Sequence, residues 1–166
     1  MSENVDFSSG DFVVYPTHGV GRIIGTETQS IAGCELQLLV IDFEKDRMTL
    51  RVPLQKARTS GLRPLSSRKQ MQAALAKLRG RARVRRTMWS RRAQEYEAKI
   101  NSGDPVSIAE VVRELHRSAA QPDQSYSERQ MYQAAIDRLA REFAAIEKID
   151  ADTAMVRIEK MMDQAA

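Results

Sequence analysis

The sequence predicts an α+β protein with two parts, a small β-barrel or curled sheet followed by a compact domain of about five α-helices. Two observations lead to this prediction. Residues 11–65 contain short runs of β-forming residues separated by closely spaced turns. Residues 66–166 instead place apolar residues three to four positions apart, between residues that can cap helices. We therefore expect one domain over residues 1–65 and a second over residues 66–166.

The N-terminal part divides into five predicted strands. They cover residues 13–15, 20–28, 34–43, 48–54 and 61–65. In the fourth strand the letters MTLRV (48–52) alternate between apolar and polar residues, which is the pattern of a strand with one buried face. Pro53 has no N–H group to donate to a neighbouring strand, so it marks either an edge strand or simply the end of this one. An edge that stays free could pair with a strand of another protein.

The C-terminal part divides into five predicted helices, each of which begins at a residue that can cap its first turn. The predicted capping residues are Ser66 or Ser67, Thr87, Asp104, Ser125 and Asp150. Pro105 strengthens the third of these starts, because proline suits the first position of a helix. The fourth helix shows the apolar spacing most clearly, at Tyr132, Ile136, Leu139, Phe143 and Ile146. The first two helices are expected to end near Leu78 and Asn101.

Basic residues are concentrated in the middle of the chain. Residues 1–64 hold seven basic and eight acidic residues, a net charge of −1, and residues 119–166 hold six and nine, a net charge of −3. Residues 65–118 hold thirteen and five, a net charge of +8, and between positions 68 and 92 there are ten basic residues and no acidic one. This block predicts binding to nucleic acid. The alternative is a solvated helix face, although such faces usually mix both signs of charge.

Trp89 lies inside the most basic stretch, RARVRRTMWSRR (81–92), and is the only tryptophan of the chain. If Thr87 caps the second helix, Trp89 lies in the first turn, where unpaired N–H groups and the helix dipole can receive a phosphate. The flanking arginines that would add to this positive surface are Arg85, Arg86, Arg91 and Arg92. The ring itself could stack on an unpaired base or wedge into a base step. The alternative is an anchor for the helical domain, with the ring packed against Leu78, Met88 and Tyr96.

No motif in the sequence predicts an enzyme, a cofactor or a metal site. His18 and His116 fall in different parts of the chain, and Cys34 is the only cysteine, so a metal-ligand cluster at useful spacing is missing. The GVG at 19–21 is not followed by a helix, as a dinucleotide-binding loop would be, and the G-x-S-x-G and P-loop motifs are absent. An active site assembled from distant residues stays open as an alternative.

The composition predicts a cytoplasmic protein. The chain has no apolar run near 18 residues and no signal-peptide pattern at its start. A single cysteine also excludes an internal disulfide, which fits a reducing compartment. No long coiled-coil pattern argues for a dimer, so we expect a monomer.

Four stretches together resemble the CarD/CdnL family of bacterial transcription regulators: GDFVVYPTHGVGRI (10–23), TLRVP (49–53), WSRR (89–92) and SGDPVSIAEVVRELHR (102–117). The resemblance implies that residues 1–65 form a Tudor-like β-barrel, similar to the polymerase-interacting domain of the transcription-repair coupling factor, that binds the β1 lobe of the RNA polymerase β subunit. It implies that residues 66–166 bind promoter DNA in the minor groove at the upstream edge of the transcription bubble. The implied function is stabilisation of the open complex, as an activator without strong sequence readout, and association with the nucleoid through polymerase.

The resemblance also assigns roles to individual residues. Trp89 corresponds to the wedge that the family inserts into the minor groove, and the DNA backbone contacts implied beside it are Arg85, Arg86, Arg91 and Arg92. Arg51 corresponds to a polymerase-contacting arginine, and the implied contact strand consists of Thr49, Leu50, Arg51, Val52 and Pro53. Gln29 departs from the family, because some members carry a basic residue there. The alternative function is a free-standing module that binds RNA or single strands without polymerase.

Overall fold

The N-terminal part of the chain forms one antiparallel sheet in the computed structural model, which describes residues 7–57, 59–80, 88–116 and 125–165. Its strands are β1 (Phe12–Tyr15), β2 (Gly19–Ile31), β3 (Cys34–Phe43), β4 (Met48–Pro53) and β5 (Arg63–Pro64). A short 3₁₀ helix (Leu54–Lys56) follows β4. The contacts within the chain divide it into two compact units, Met1–Leu65 and Ser66–Ala166, called here the sheet unit and the helical unit.

The α+β class is confirmed, and the sheet is open rather than closed into the expected barrel. The strand order is β4-β3-β2-β1-β5, so β4 and β5 form the two edges. Closure would require β4 to pair with β5, but β5 is two residues long and its Pro64 has no N–H group to donate. Within the described residues β4 pairs with β3 alone, and its other edge carries no strand.

Apolar side chains of the strands and of the loop after β4 form the core of the sheet unit. The buried members are Val13, Ile23, Leu39, Ile41, Phe43, Val52, Ala57 and Leu62. Gly21 lies directly against this core, because a Cβ atom there would be 2.7 Å from Ile41 Cγ2 and 2.7 Å from Phe43 Cε1. The β2–β3 hairpin turns on Ala32 and Gly33, whose φ angles of 52° and 80° suit the two-residue turn that follows the twist of a hairpin.

The described part of the helical unit contains five helices. They are α1 (Arg68–Leu78), α2 (Trp89–Asn101), α3 (Pro105–Leu115), α4 (Tyr126–Glu147) and α5 (Ala151–Ala165). Four of the predicted caps are confirmed, since a side-chain oxygen of each accepts a first-turn N–H: Ser67 from Gln70, Asp104 from Val106, Ser125 from Glu128 and Asp150 from Thr153. The prediction that Thr87 caps the second helix is wrong by one position, because Met88 occupies the N-cap site of α2; Thr87 itself lies outside the described residues.

α3 lies at the centre of the helical unit and packs against α1, α2 and α4. Its buried side chains are Pro105, Ile108, Ala109, Val111, Val112 and Leu115. Two polar residues near the end of α3, Arg113 and Glu114, contact Gly80 and Tyr96 and are described below. In the part of the chain that the structure describes, no helix combines the length and apolarity needed to span a bilayer.

Candidate functional site

Trp89 occupies the first helical position of α2, at a helix end that lies on the surface. The carbonyl of Met88 accepts hydrogen bonds from the backbone N–H groups of Arg91 and Arg92, each at 3.1 Å. Methionine has no side-chain oxygen, so the N-cap residue itself satisfies none of the remaining N–H groups of this turn. The Met88 side chain is 78% exposed. The positive end of the α2 dipole is therefore placed where an anion can approach it.

The Trp89 ring is partly buried. It packs against the core of the helical unit, and its centroid lies 6.2 Å from that of Tyr96, with an angle of 51° between the ring planes. The contact with Tyr96 expected of a bundle anchor is therefore present, whereas Met88 is exposed. The ring therefore packs on the core with one part of its surface and exposes another part to solvent.

Arg92 lies between the two rings. Its guanidinium carbon is 5.6 Å from the Trp89 centroid and 5.6 Å from the Tyr96 centroid, which is the distance range of cation–π contacts. Its Nη2 donates a hydrogen bond of 3.1 Å to the Tyr96 hydroxyl, and its buried Nε has no hydrogen-bond partner among the described residues. Arg91, the preceding residue, is exposed. Two adjacent arginines of the predicted DNA site thus occupy different environments.

The Tyr96 hydroxyl joins this cluster to α3. Burial raises the pKa of Tyr96 above its ordinary value, and a hydrogen bond to the Glu114 carboxylate raises it further, against the opposing effect of the bond from Arg92. The hydroxyl therefore stays protonated at neutral pH, with Arg92 on one side and Glu114 on the other. The spacing of Trp89, Arg92 and Tyr96, three and then four residues, places all three on one face of α2 and is a signal that the sequence does contain.

A side chain of α3 contacts the backbone just after α1, where the arginine-rich stretch of the sequence begins. Arg113 Nε donates a 2.6 Å hydrogen bond to the carbonyl of Gly80, the last described residue before that segment. No sequence motif singles out Arg113. Arg85 and Arg86, two of the predicted DNA contacts, lie outside the described residues.

The predicted contact strand is the edge strand β4. Of its residues, Thr49 and Arg51 are exposed, Leu50 and Pro53 are partly buried, and Val52 is buried in the core. The alternation read from the sequence is therefore present in the structure. Because β4 pairs only with β3 among the described strands, its outer edge presents backbone groups to which another strand could be added.

Arg51 is held by Glu27 on the outer face of the sheet. Its Nε donates to Glu27 Oε2 at 2.9 Å and its Nη2 to Glu27 Oε1 at 3.5 Å. The hydrogen bond from Arg51 lowers the pKa of Glu27, and the same bond raises the pKa of Arg51. The side chains are 45% and 44% exposed, so the pair is reachable by solvent and by a partner. Glu27 was not predicted, because β2 and β4 lie on opposite sides of β3 and the sequence does not show that these two residues meet across it.

The two histidines and the cysteine have the following surroundings. His18 stacks on Tyr15 with centroids 5.6 Å apart, and Cys34 is exposed at the β2–β3 hairpin. His116 hydrogen-bonds to the Tyr132 hydroxyl at 3.2 Å and to Asp163 at 3.1 Å, which ties the end of α3 to α4 and α5. Burial raises the pKa of Tyr132 far above its ordinary value. Among the described residues, no group of three or more His, Cys, Asp or Glu side chains could hold a metal ion.

Two family models match the chain and together span most of it. The description "CarD, C-terminal domain" matches residues 73–159, and "CarD-like/TRCF RID domain" matches residues 7–66. The chain belongs to the CarD family. The family resemblance predicted from the four sequence stretches is therefore confirmed. The CarD family consists of transcription factors rather than enzymes, and its N-terminal domain class makes this chain a transcription-associated regulator that interacts with RNA polymerase.

One curated protein and one solved structure are similar to this chain. YdeB of Bacillus subtilis (strain 168), a protein named as a candidate transcription factor, is 29% identical over 143 residues, which cover 86% of this chain and 94% of YdeB. The solution NMR structure of the 72-residue N-terminal domain of Myxococcus xanthus CarD is 33% identical, covers 35% of this chain and 77% of that domain, and has a TM-score of 0.31.

Proposed function

We propose that this CarD-family chain stabilises the open promoter complex. The sheet unit binds the β1 lobe of the RNA polymerase β subunit, and the helical unit binds promoter DNA in the minor groove at the upstream edge of the bubble. Trp89 acts there as a wedge, and the protein works as a monomer in the cytoplasm, associated with the nucleoid through polymerase. The observation that carries this proposal is the partly exposed Trp89 ring at the surface end of α2, beside the exposed Arg91.

The chemistry of this helix end suits a junction between duplex and melted DNA. Arg91, together with Arg85 and Arg86 of the preceding segment, supplies positive charge for phosphates, and such contacts give affinity without sequence information. The Trp89 ring supplies an apolar surface that can enter a base step or stack on an unpaired base. Because neither the phosphate contacts nor the ring reads a base sequence, this arrangement supports binding to many promoters without strong sequence readout.

The edge strand β4 supplies the polymerase contact in this proposal. Its free edge can receive a strand of the β subunit, with Thr49, Leu50, Val52 and Pro53 as the neighbouring residues. Arg51 stands exposed on the same strand, within reach of a carboxylate on the partner. Binding to polymerase raises the effective concentration of the helical unit at the bubble, so its own DNA affinity can be weak.

Stabilisation requires that the helical unit prefer the open form. A protein that bound closed and open promoter equally would not change their ratio. The wedge provides the difference, because a base step at the edge of melted DNA opens more readily than one inside a duplex. A preference of about 1.4 kcal/mol would change the open-complex occupancy about tenfold where opening is limiting.

The decisive measurement is the lifetime of competitor-resistant complexes between polymerase and a promoter. It compares no added protein, wild type, Trp89→Ala and Tyr126→Ala. Tyr126 is a matched control, because its ring is 71% exposed at the start of another helix, α4. We expect wild type and Tyr126→Ala to lengthen the lifetime about tenfold. Trp89→Ala should lose most of this increase, because it lacks the wedge. Circular dichroism and thermal melting verify that each variant is folded.

Two other outcomes would redirect the proposal. If folded Trp89→Ala acts like wild type, the ring is not the wedge and the basic residues alone make the DNA contact. If wild type leaves the lifetime unchanged, the open-complex proposal fails. Tight, strongly salt-dependent binding to RNA or single strands without polymerase would then favour the free-standing nucleic-acid module, for which the basic block is the motivating observation.

A further inference from the structure

We propose that Arg92 is a positioning residue that holds the Trp89 ring in place for its contact with DNA, rather than a phosphate contact like Arg91. Its effect on promoter complexes rests on the proposed function, whereas its effect on the ring does not. A chain of contacts connects α3 to the Trp89 ring. Glu114 of α3 hydrogen-bonds to the Tyr96 hydroxyl, and that hydroxyl accepts a hydrogen bond from Arg92. The Arg92 guanidinium in turn contacts the Trp89 ring.

The environment of Arg92 separates it from its neighbour. Its guanidinium contacts two aromatic rings at 5.6 Å and donates to one hydroxyl at 3.1 Å, and its Nε atom is buried. Turning this group toward a phosphate would break all of these contacts at once. Arg91 is exposed one position earlier on the helix and can reach a phosphate without breaking comparable contacts. Arginine suits the supporting position because its planar guanidinium can stack on rings while its edge donates hydrogen bonds.

A wedge gains from being held before it binds. A tryptophan side chain that samples several rotamers must lose that freedom on entering a base step, which weakens binding. Trp89 lies in the first turn of α2, where the helix alone gives little restraint. Contacts with Arg92 and Tyr96, three and seven residues later on the same helix face, supply that restraint.

The first test is the fluorescence of Trp89, which reports on this cluster alone because the chain has no other tryptophan. Acrylamide quenching and time-resolved anisotropy are measured on the full chain for wild type, Arg92→Gln and Arg91→Gln. We expect Arg92→Gln to raise the quenching rate constant about twofold and to lower the anisotropy, because the ring gains exposure and motion. Arg91→Gln, the matched control, should leave both unchanged.

A second variant guards against loss of folding. Tyr96→Phe keeps the ring but removes the hydroxyl that accepts from Arg92, so a smaller increase in quenching is expected. Thermal melting identifies any variant that has lost its fold. If folded Arg92→Gln and Tyr96→Phe both show wild-type quenching and anisotropy, Arg92 does not hold the ring and the proposal is overturned.

The second test separates support from phosphate contact. Binding of a duplex with a pre-melted bubble is measured at several salt concentrations, and each lost phosphate contact lowers the slope of log affinity against log salt by about 0.9. Arg92→Gln should weaken binding with the slope unchanged, whereas Arg91→Gln should lower the slope. An equal loss of slope in both variants would make Arg92 a phosphate contact and overturn the proposal. Where wild type binds this DNA only in the presence of polymerase, the same comparison is made on the polymerase–promoter complex. The lifetime measurement above decides the proposed function, and the fluorescence result decides the role of Arg92 independently of it.

Discussion

Arg51 on the sheet and Arg92 on α2 are two arginines in two candidate interfaces, and their surroundings give them opposite properties. Arg51 pairs with one exposed carboxylate, that of Glu27. Such a pair is weak in water, is screened by salt, and can be exchanged for a carboxylate of a partner. Arg92 is held by two rings and a hydroxyl and is partly buried. The same side chain can therefore be a contact for a partner in one place and a support for a neighbour in the other.

Reversing the charge of Arg51 should produce the largest effect. If Arg51 meets a carboxylate of the β subunit, Arg51→Glu replaces an attraction by a repulsion, and we expect polymerase affinity to fall about 30-fold or more. The measurement is a pull-down or titration with the polymerase β subunit. Arg47→Glu is the matched control, because it makes the same charge change in the exposed β3–β4 turn.

A double exchange sharpens this prediction. Glu27→Arg combined with Arg51→Glu restores the intramolecular pair, so the sheet unit should keep its stability while polymerase binding stays lost. Wild-type binding by Arg51→Glu would remove Arg51 from the interface. Recovery of binding in the double exchange would instead show that the pair matters only for folding.

An added methyl group at Gly21 should have an intermediate effect, which lowers the stability of the sheet unit and leaves the surroundings of Trp89 unchanged. Gly21→Ala places a Cβ 2.7 Å from side-chain atoms of Ile41 and Phe43, which lie opposite Leu50 and Met48 of β4. Overpacking of this kind destabilises by about 1–3 kcal/mol. Thermal and urea unfolding should show this loss, and Trp89 fluorescence in the native state should be unchanged.

Gly80→Ala is the control for that change. At Gly80 the nearest atom to an added Cβ is the Lys77 carbonyl oxygen at 3.4 Å, so little strain is expected. Altered Trp89 quenching in folded Gly21→Ala would mean that the two candidate surfaces are coupled, which contradicts the prediction.

Removing the carboxylate that holds Arg51 should have the smallest effect. Glu27→Gln releases Arg51 from its pair, and because exposed pairs are weak we expect polymerase affinity at neutral pH to rise by no more than about fivefold. A fall in affinity would show that Glu27 presents Arg51 to the partner instead of competing for it.

The same variant has a predicted pH dependence. The hydrogen bond from Arg51 lowers the pKa of Glu27 below its ordinary value of 4.5. A lowered folded-state pKa stabilises the fold above the unfolded-state pKa, and that contribution is lost as the pH falls through the lowered value. Unfolding measured below about pH 5 should therefore be less sensitive to pH in Glu27→Gln than in wild type. Identical acid limbs for the two proteins would show that the pair does not stabilise the fold.

Features that depend on a few neighbouring residues were predictable. Ser67, Asp104, Ser125 and Asp150 cap their helices as expected, because a cap needs only a side-chain oxygen within three residues of the N–H it accepts. The exception was Thr87, whose neighbour Met88 occupies the N-cap position without a capping oxygen. The sequence pattern did not indicate which of two neighbouring residues occupies the N-cap position.

Features that depend on distant residues were not predictable. The expected barrel is an open sheet, because closure depends on whether two edge strands can pair, and β5 is too short. Glu27 and Arg51 are 24 residues apart in sequence and meet only through β3. The proposed role of Arg92 depends on its contacts with the Trp89 and Tyr96 rings. The basic stretch around it predicts only a positive charge that could contact phosphate.

The family, the α+β class, four of the five helix caps and the location of the basic block could all be read from the amino-acid sequence. Each of these follows from residue chemistry and short-range periodicity, which act before any tertiary contact forms. Three features emerge only from the folded chain: the sheet is open, Glu27 binds Arg51, and the Arg92 guanidinium packs against Trp89 and Tyr96. The physical reason is that strand order and side-chain packing bring together residues whose separation along the chain carries no signal of contact.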